Sequence, residues 1–177
     1  MKKLLFVVMI FLTLIACQPR AQQQQAQDDP RAAALADVRD CEKSLHSDSV
    51  LNEQKAQEMI GKYLGFANEF PQDSLTPEYL FRASEIALAI NQPQQAVKYL
   101  TTVVNNHPEY QNYEMALFYL GHTEQNYLND TASARRYYQQ FLTEFPDHYM
   151  ADDVRAILQN MGLSDIELVR MFEEKNR

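Results

Sequence analysis

Three prolines set the frame that the rest of the chain must fit. Pro71, Pro108 and Pro146 stand 37 and 38 residues apart. A proline cannot continue a helix, so each marks a place where one stops. The residues before them repeat too. Ala96, Leu100 and Val103 lie twelve, eight and five residues before Pro108, and Ala134, Tyr138 and Phe141 lie at the same distances before Pro146. From Pro71 those offsets give Met59, Tyr63 and Phe66, so the apolar stripe persists where the small residue does not. Steps of four and three keep these side chains on one helix face. An aromatic residue or a histidine precedes each proline: Phe70, His107 and Phe145. A period of this length with helical spacing inside it implies stacked helix pairs, each burying its seam against the next.

Local punctuation supplies the helix ends. Asp29-Pro30 and Thr76-Pro77 each place a capping side chain before a first-turn proline, and Pro93 opens a helix after Asn91. Asp130 precedes Thr131-Ala132-Ser133-Ala134, and Ser164-Asp165-Ile166-Glu167 is a capping box that Gly162 separates from the helix before it. These signals predict helices near 30–46, 52–70, 77–90, 93–106, 111–128, 131–145, 148–160 and 165–175. Four glycines and no tryptophan agree with an all-α chain.

The unit from Pro77 to Tyr110 resembles the tetratricopeptide repeat, a helix pair carrying a bulky residue, Leu-Gly, then Ala, Phe, Ala and a closing Pro. Leu80, Ala83, Ser84 and Ala87 precede Ala96, with Ser84 where glycine is usual. Leu117, Leu120 and Gly121 precede Ala134 in the next unit, Glu114 to Asp147, which needs one inserted residue near Asn129-Asp130. The resemblance implies helical repeats stacked as a short right-handed solenoid over residues 30–177. Its first helices would line a concave face. Carried onto this sequence, that face shows Glu78, Phe81, Glu85 and Leu88 from one unit and Met115, Phe118, His122, Gln125 and Asn126 from the next. Phe81 and Phe118 are then either anchors for a partner or contacts against the neighbouring unit. As partner-binding residues the resemblance singles out Phe81, Glu85, Phe118, His122 and Gln125.

The N-terminus points to export. Met1-Lys2-Lys3 precedes an apolar run from Leu4 to Ile15. Twelve residues make about 18 Å of helix, short of a ~30 Å hydrocarbon core, so the run reads as a signal peptide. Leu14-Ile15-Ala16-Cys17 resembles a bacterial lipobox. The Cys17 thiol would take a diacylglyceryl group as a thioether, after which residues 1–16 leave. Lys2 and Lys3 leave with them, and the formal net charge moves from −8 to −10. Gln18, where aspartate would signal inner-membrane retention, resembles an outer-membrane address. Residues 17–29 then form a lipidated cysteine and a glutamine-rich tether. Ala26-Gln27-Asp28-Asp29 also resembles the acidic tags of surface-exposed lipoproteins, but lies farther from the cysteine than those do, so the periplasmic face is expected. The closing segment, Phe145 to Met150 and onward to Ser164, is similar to that of small Bacteroidota repeat lipoproteins. The Phe-Pro and Ala-spaced helices also resemble the repeat lipoproteins of β-barrel assembly.

Little in the sequence points to catalysis. No His pair has the spacing of a zinc site, and the chain holds no Gly-x-Ser-x-Gly, phosphate loop or dinucleotide fingerprint. Paired acids such as Asp152-Asp153 point about 100° apart on a helix and cannot share a proton. A pI near 5.0 argues against nucleic acid as a partner. Cys41 is a small filler on the first helix or, in an oxidising compartment, one half of an intermolecular disulfide. No metal and no cofactor are expected. The expectation is a non-enzymatic, lipid-anchored repeat adaptor that binds a periplasmic or outer-membrane protein at the outer membrane. The alternative is a carbohydrate-binding or hydrolytic lipoprotein of a nutrient-uptake system.

Overall fold

A computed structural model describes residues 29–46 and 52–175, so the signal segment, Cys17 and the tether up to Asp28 lie outside the described residues. Eight helices follow one another: α1 (Pro30–His46), α2 (Glu53–Glu69), α3 (Thr76–Ala89), α4 (Pro93–Asn106), α5 (Tyr113–Asn126), α6 (Thr131–Glu144), α7 (Ala151–Asn160) and α8 (Asp165–Lys175). No strand occurs among the described residues, and none of their helices is long and apolar enough to cross a membrane. From α1 to α7 every two consecutive helices pack against each other. That nearest-neighbour pattern is what makes the domain a helical solenoid.

The proline period reappears as a repeated set of backbone hydrogen bonds. Phe70, His107 and Phe145 cap α2, α4 and α6 with nearly equal dihedrals, φ −124 to −134° and ψ 58 to 61°. Each donates its N–H to the carbonyl four residues back: Phe66, Val103 and Phe141. Two linked turns follow every time. Asp73 N–H reaches Phe70 O and Thr76 N–H reaches Asp73 O, and the same steps join His107, Tyr110 and Tyr113, then Phe145, His148 and Ala151. Three copies of one connection show that α1–α2 is a degenerate first unit and that α7 opens a fourth.

Inside the units the helix-to-helix turns rest on asparagine. Asn91 and Asn129 adopt φ 57° and 56°, a left-handed conformation that asparagine tolerates better than most residues. After Asn91, the Gln92 N–H closes back on Ala87 O at 2.7 Å. After Asn129, the Asp130 N–H closes on Glu124 O at 2.8 Å, one residue further, and Leu128 is the inserted residue that the second unit required. Asp130 then caps α6 by accepting from Ser133 N–H at 3.0 Å. At the C-terminal end the capping box forms: Ser164 N–H donates to Glu167 Oε2 at 2.8 Å, and Glu167 N–H reaches back to Ser164 Oγ.

Helix α5 is two residues shorter at each end than the expected 111–128, and two further boundaries depart from the sequence reading because of side-chain bonds. Thr76 is the first residue of α3 and not its cap; its hydroxyl donates to Phe70 O at 2.6 Å, while Asp73 accepts from Leu75 N–H. Helix α7 starts at Ala151, three residues later than expected, because His148 is held in the linked turn and its Nδ1 accepts from Met150 N–H.

The core divides along α3. Tyr79, Ala83 and Ala87 join Val38, Met59, Ile60, Tyr63, Phe66 and Ala96 on one side. Leu80 and Phe81 join Leu100, Val103, Leu117, Leu120, Ala134, Tyr138 and Phe141 on the other. Ala96 and Ala134 are fully buried, where the paired helices approach. Leucine at either place would add three heavy atoms to a filled crossing, so Ala96→Leu and Ala134→Leu should each cost about 1–3 kcal/mol in urea unfolding. Unchanged midpoints for both would contradict the alignment of the units. Gly121 has a reason of the same kind. A Cβ there would stand 2.7 Å from Cε1 of the buried Tyr138 ring, closer than any relaxed contact. In the preceding unit the smaller Leu100 leaves room for Ser84, whose hydroxyl turns back to Phe81 O.

Candidate functional site

The residues expected to bind a partner lie on α3 and α5, and a run of rings connects them. Phe81 meets Tyr119 edge-on, with centroids 5.5 Å apart, and leans on Tyr110 at 6.1 Å. Tyr119 continues to Phe118 at 6.2 Å, Phe118 stacks on His122 at 6.3 Å, and His122 meets Tyr127 at 6.0 Å. The ends of this ribbon differ. Phe81 is only 9% exposed and belongs to the packing between units, whereas Tyr127 is 43% exposed. Phe118 is half-buried, its inner edge against Tyr138 at 5.9 Å. Of the two phenylalanines, Phe118 is therefore the one a partner could reach.

The polar members flank the ribbon. Glu85 is exposed and makes no ion pair or hydrogen bond among the described residues. Loss of water around it and the nearby charge of Glu78 push its carboxyl above the ordinary range. His122 keeps a buried Nδ1 without a hydrogen-bond partner, and its backbone carbonyl accepts from Asn126. Gln125 is half-buried one turn beyond His122. Leu88 and Met115 are half-buried too, but they pack against different core clusters, Leu88 against that of Met59 and Tyr63 and Met115 against that of Leu117 and Tyr138.

Glu78, which the repeat register put on the same face, is already engaged. Arg82 Nε donates to Glu78 Oε1 at 2.6 Å and Arg82 Nη1 to Glu42 Oε1 at 3.1 Å. Tyr63 donates to the same Glu42 oxygen at 2.8 Å, and Tyr110 donates to Glu78 Oε2 at 2.7 Å. One polar chain thus ties α1, α2, α3 and the turn before α5. Burial opposes the charge on Glu78, but the bonds from Tyr110 and Arg82 outweigh it and hold the carboxyl below its ordinary range. The hydroxyls of Tyr63 and Tyr110 are pushed up, first by burial and then by bonding to carboxylates. With Arg82 half-exposed, its pairs contribute little stability individually, and their role is to fix the spacing of successive units. Sequence reading missed Arg82, Glu42 and Tyr119. The Glu78–Arg82 spacing of four was the one legible signal among them.

Glu124, near the end of α5, is a buried carboxyl of the opposite kind, with no ion pair among the described residues. It is 8% exposed, and burial followed by the charge of Asp130 pushes its carboxyl up. A carboxyl with a raised folded pKa binds protons more readily when folded, so stability rises as pH falls and a penalty remains at neutral pH. Glu124→Gln should raise the thermal midpoint at pH 7 by a few degrees, and the gain should vanish near pH 4. A gain that persists in acid would assign the effect to packing.

The other histidines make structural contacts: His107 is buried with Nδ1 3.6 Å from Glu109, and His148 Nδ1 serves as the turn acceptor. Among the described residues no group of three His, Cys, Asp or Glu side chains is placed to hold a metal ion.

Comparison with known proteins bears on the same stretch. No curated protein matches the chain. Residues 78–110 and 115–148 match the tetratricopeptide repeat family model. The first match runs from Glu78, the third residue of α3, through α4 to Tyr110, and the second from Met115, the third residue of α5, through α6 to His148. The α3–α4 and α5–α6 pairs, which carry the aromatic ribbon, are thus the two units that match the tetratricopeptide repeat model, and the described residues around them are helical repeats of the same kind.

Proposed function

We propose that this protein is a lipid-anchored adaptor that holds a partner protein at the periplasmic face of the outer membrane, with the α3–α5 face as the contact surface. Tetratricopeptide repeats are interaction scaffolds, which supports the protein-binding half of this reading. The observation that carries it is the ribbon that runs from the buried Phe81 through the half-buried Phe118 to the exposed Tyr127. A half-buried aromatic with polar neighbours has the makeup of an interface anchor and its rim. The anchoring half rests on the Leu14-Ile15-Ala16-Cys17 motif and on Gln18. Helix links of three to six residues in the repeat region leave no long loop with which to shape a sugar or hydrolytic site, which favours the adaptor over the nutrient-uptake alternative.

The test is crosslinking in cells, recovery of the chain from membranes and mass spectrometry of what comes with it. Wild type should bring down one reproducible partner. Phe118→Ala should lose it, with affinity down by about thirtyfold, while keeping most of its helical signal on heating. Equal recovery with both chains would move the binding surface elsewhere.

A further inference from the structure

The charge around the ribbon is one-sided. No Lys or Arg occurs between Lys98 and Arg135, a stretch that contains the whole of α5. Helix α3 has a single cation, Arg82, and both of its hydrogen-bonded faces are taken by Glu42 and Glu78. Glu85, one turn further along α3, makes no direct ion pair among the described residues and feels Arg82 only at a distance. Glu85 follows Phe81 by one turn on α3, and the Phe81 ring in turn lies between those of Tyr110 and Tyr119. An unpaired carboxylate next to ring faces combines the two attractions that a cationic side chain can use at once, an ion pair and a cation–π contact.

We infer that the α3–α5 face takes a basic segment of its partner, with a Lys or Arg side chain seated between Glu85 and the ring of Tyr119. This rests on the reading of that face as the contact surface and adds the chemistry of what sits there. Charge complementarity argues for the occupant: an acidic segment would meet Glu85 while the one nearby cation, Arg82, is already bonded to Glu42 and Glu78, and a purely apolar one would cover the carboxylate and leave it without a direct partner. Arginine fits better than lysine, because its planar group can stack on a tyrosine while bonding the carboxylate. The protein uses the same contact internally, where Arg136 lies over the Tyr137 ring at 5.2 Å.

The purified full-length chain and a labelled peptide, acetyl-(Arg-Ala-Ala)₄-amide, test this by fluorescence anisotropy at low and moderate salt. Its glutamate counterpart serves as the control peptide. The arginine peptide should bind and the glutamate peptide should not, with affinity falling as salt rises. Glu85→Gln should weaken binding by about tenfold or more, since a charge-assisted bond is lost. Glu69→Gln, which removes an equal charge from an exposed site on α2, should leave it within about twofold. Glu85→Gln removes an unpaired charge and should not impair folding. Equal losses from the two variants would mean diffuse attraction to an acidic protein and would overturn the proposal, as would an arginine peptide that fails to bind wild type. If the cellular partner is lost with Phe118→Ala but kept with Glu85→Gln, the face is the contact surface and the basic-segment inference is wrong. If neither variant affects recovery, the reading of the face itself fails.

Discussion

Phe81→Ala should lower the unfolding free energy by about 3–5 kcal/mol, read from the midpoint of urea denaturation followed by circular dichroism. The ring is 9% exposed and lies between Tyr110 and Tyr119, so its removal opens a cavity at the junction of two units. Neither tyrosine can fill that space easily. Tyr110 is tied to Glu78 through its hydroxyl, and Tyr119 is fixed in the α5 ribbon. A domain of this size has about 5–15 kcal/mol of stability in all, so the loss is a large fraction of it. Phe118→Ala should cost less, because that side chain already meets solvent on one edge. If instead Phe81→Ala left the midpoint unchanged and abolished partner recovery, Phe81 would be a binding anchor and the division of labour between the two rings would be wrong.

Cys17→Ser should remove the protein from the membrane fraction and leave a precursor of higher mass. The expectation is chemical: a serine hydroxyl does not form the thioether through which the diacylglyceryl group is attached, and signal cleavage depends on that modification. Two or three acyl chains, each CH₂ contributing about 0.8 kcal/mol when buried, are what would hold the mature chain in place, so the change should be close to all or none. The measurement is fractionation of the envelope with an immunoblot for both sizes. A Cys17→Ser protein that still sediments with the outer membrane at the mature mass would contradict the lipobox assignment.

The repeat frame was readable because its signals are local. Pro71, Pro108 and Pro146 sit one residue beyond a repeated cap, and Ala96, Leu100 and Val103 describe one helical face without any knowledge of its neighbours. The inserted residue before Asp130 was readable as a one-residue mismatch between units, and the structure spends it on a wider turn at Leu128. What could not be read depends on how units are set against each other. Glu42 and Arg82 are 40 residues apart, and nothing in either helix announces that their ends meet. Tyr119 follows Phe118 directly, so a helical wheel puts it off the groove face; it matters because α3 approaches from that side and brings Phe81 against it. The choice between anchor and core for Phe81 and Phe118 was likewise a question about the neighbouring helix. For the boundary errors at α3 and α7 the reason lies in side chains that bond outside the helix, Thr76 to Phe70 O and His148 to Met150 N–H.

The account stands on the α3–α5 face being where a partner protein sits. The most direct measurement is photocrosslinking in living cells with a reactive phenylalanine analogue placed in turn at Leu88, Gln125, Gln139 and Thr143. Leu88 and Gln125 are the half-buried α3 and α5 positions that the repeat register puts on the concave face, whereas Gln139 and Thr143 are exposed on α6. The account predicts one adduct of the same mass from Leu88 and Gln125 and none from the α6 positions. Adducts from Gln139 or Thr143, with Leu88 and Gln125 silent, would place the partner on the second helices and contradict it.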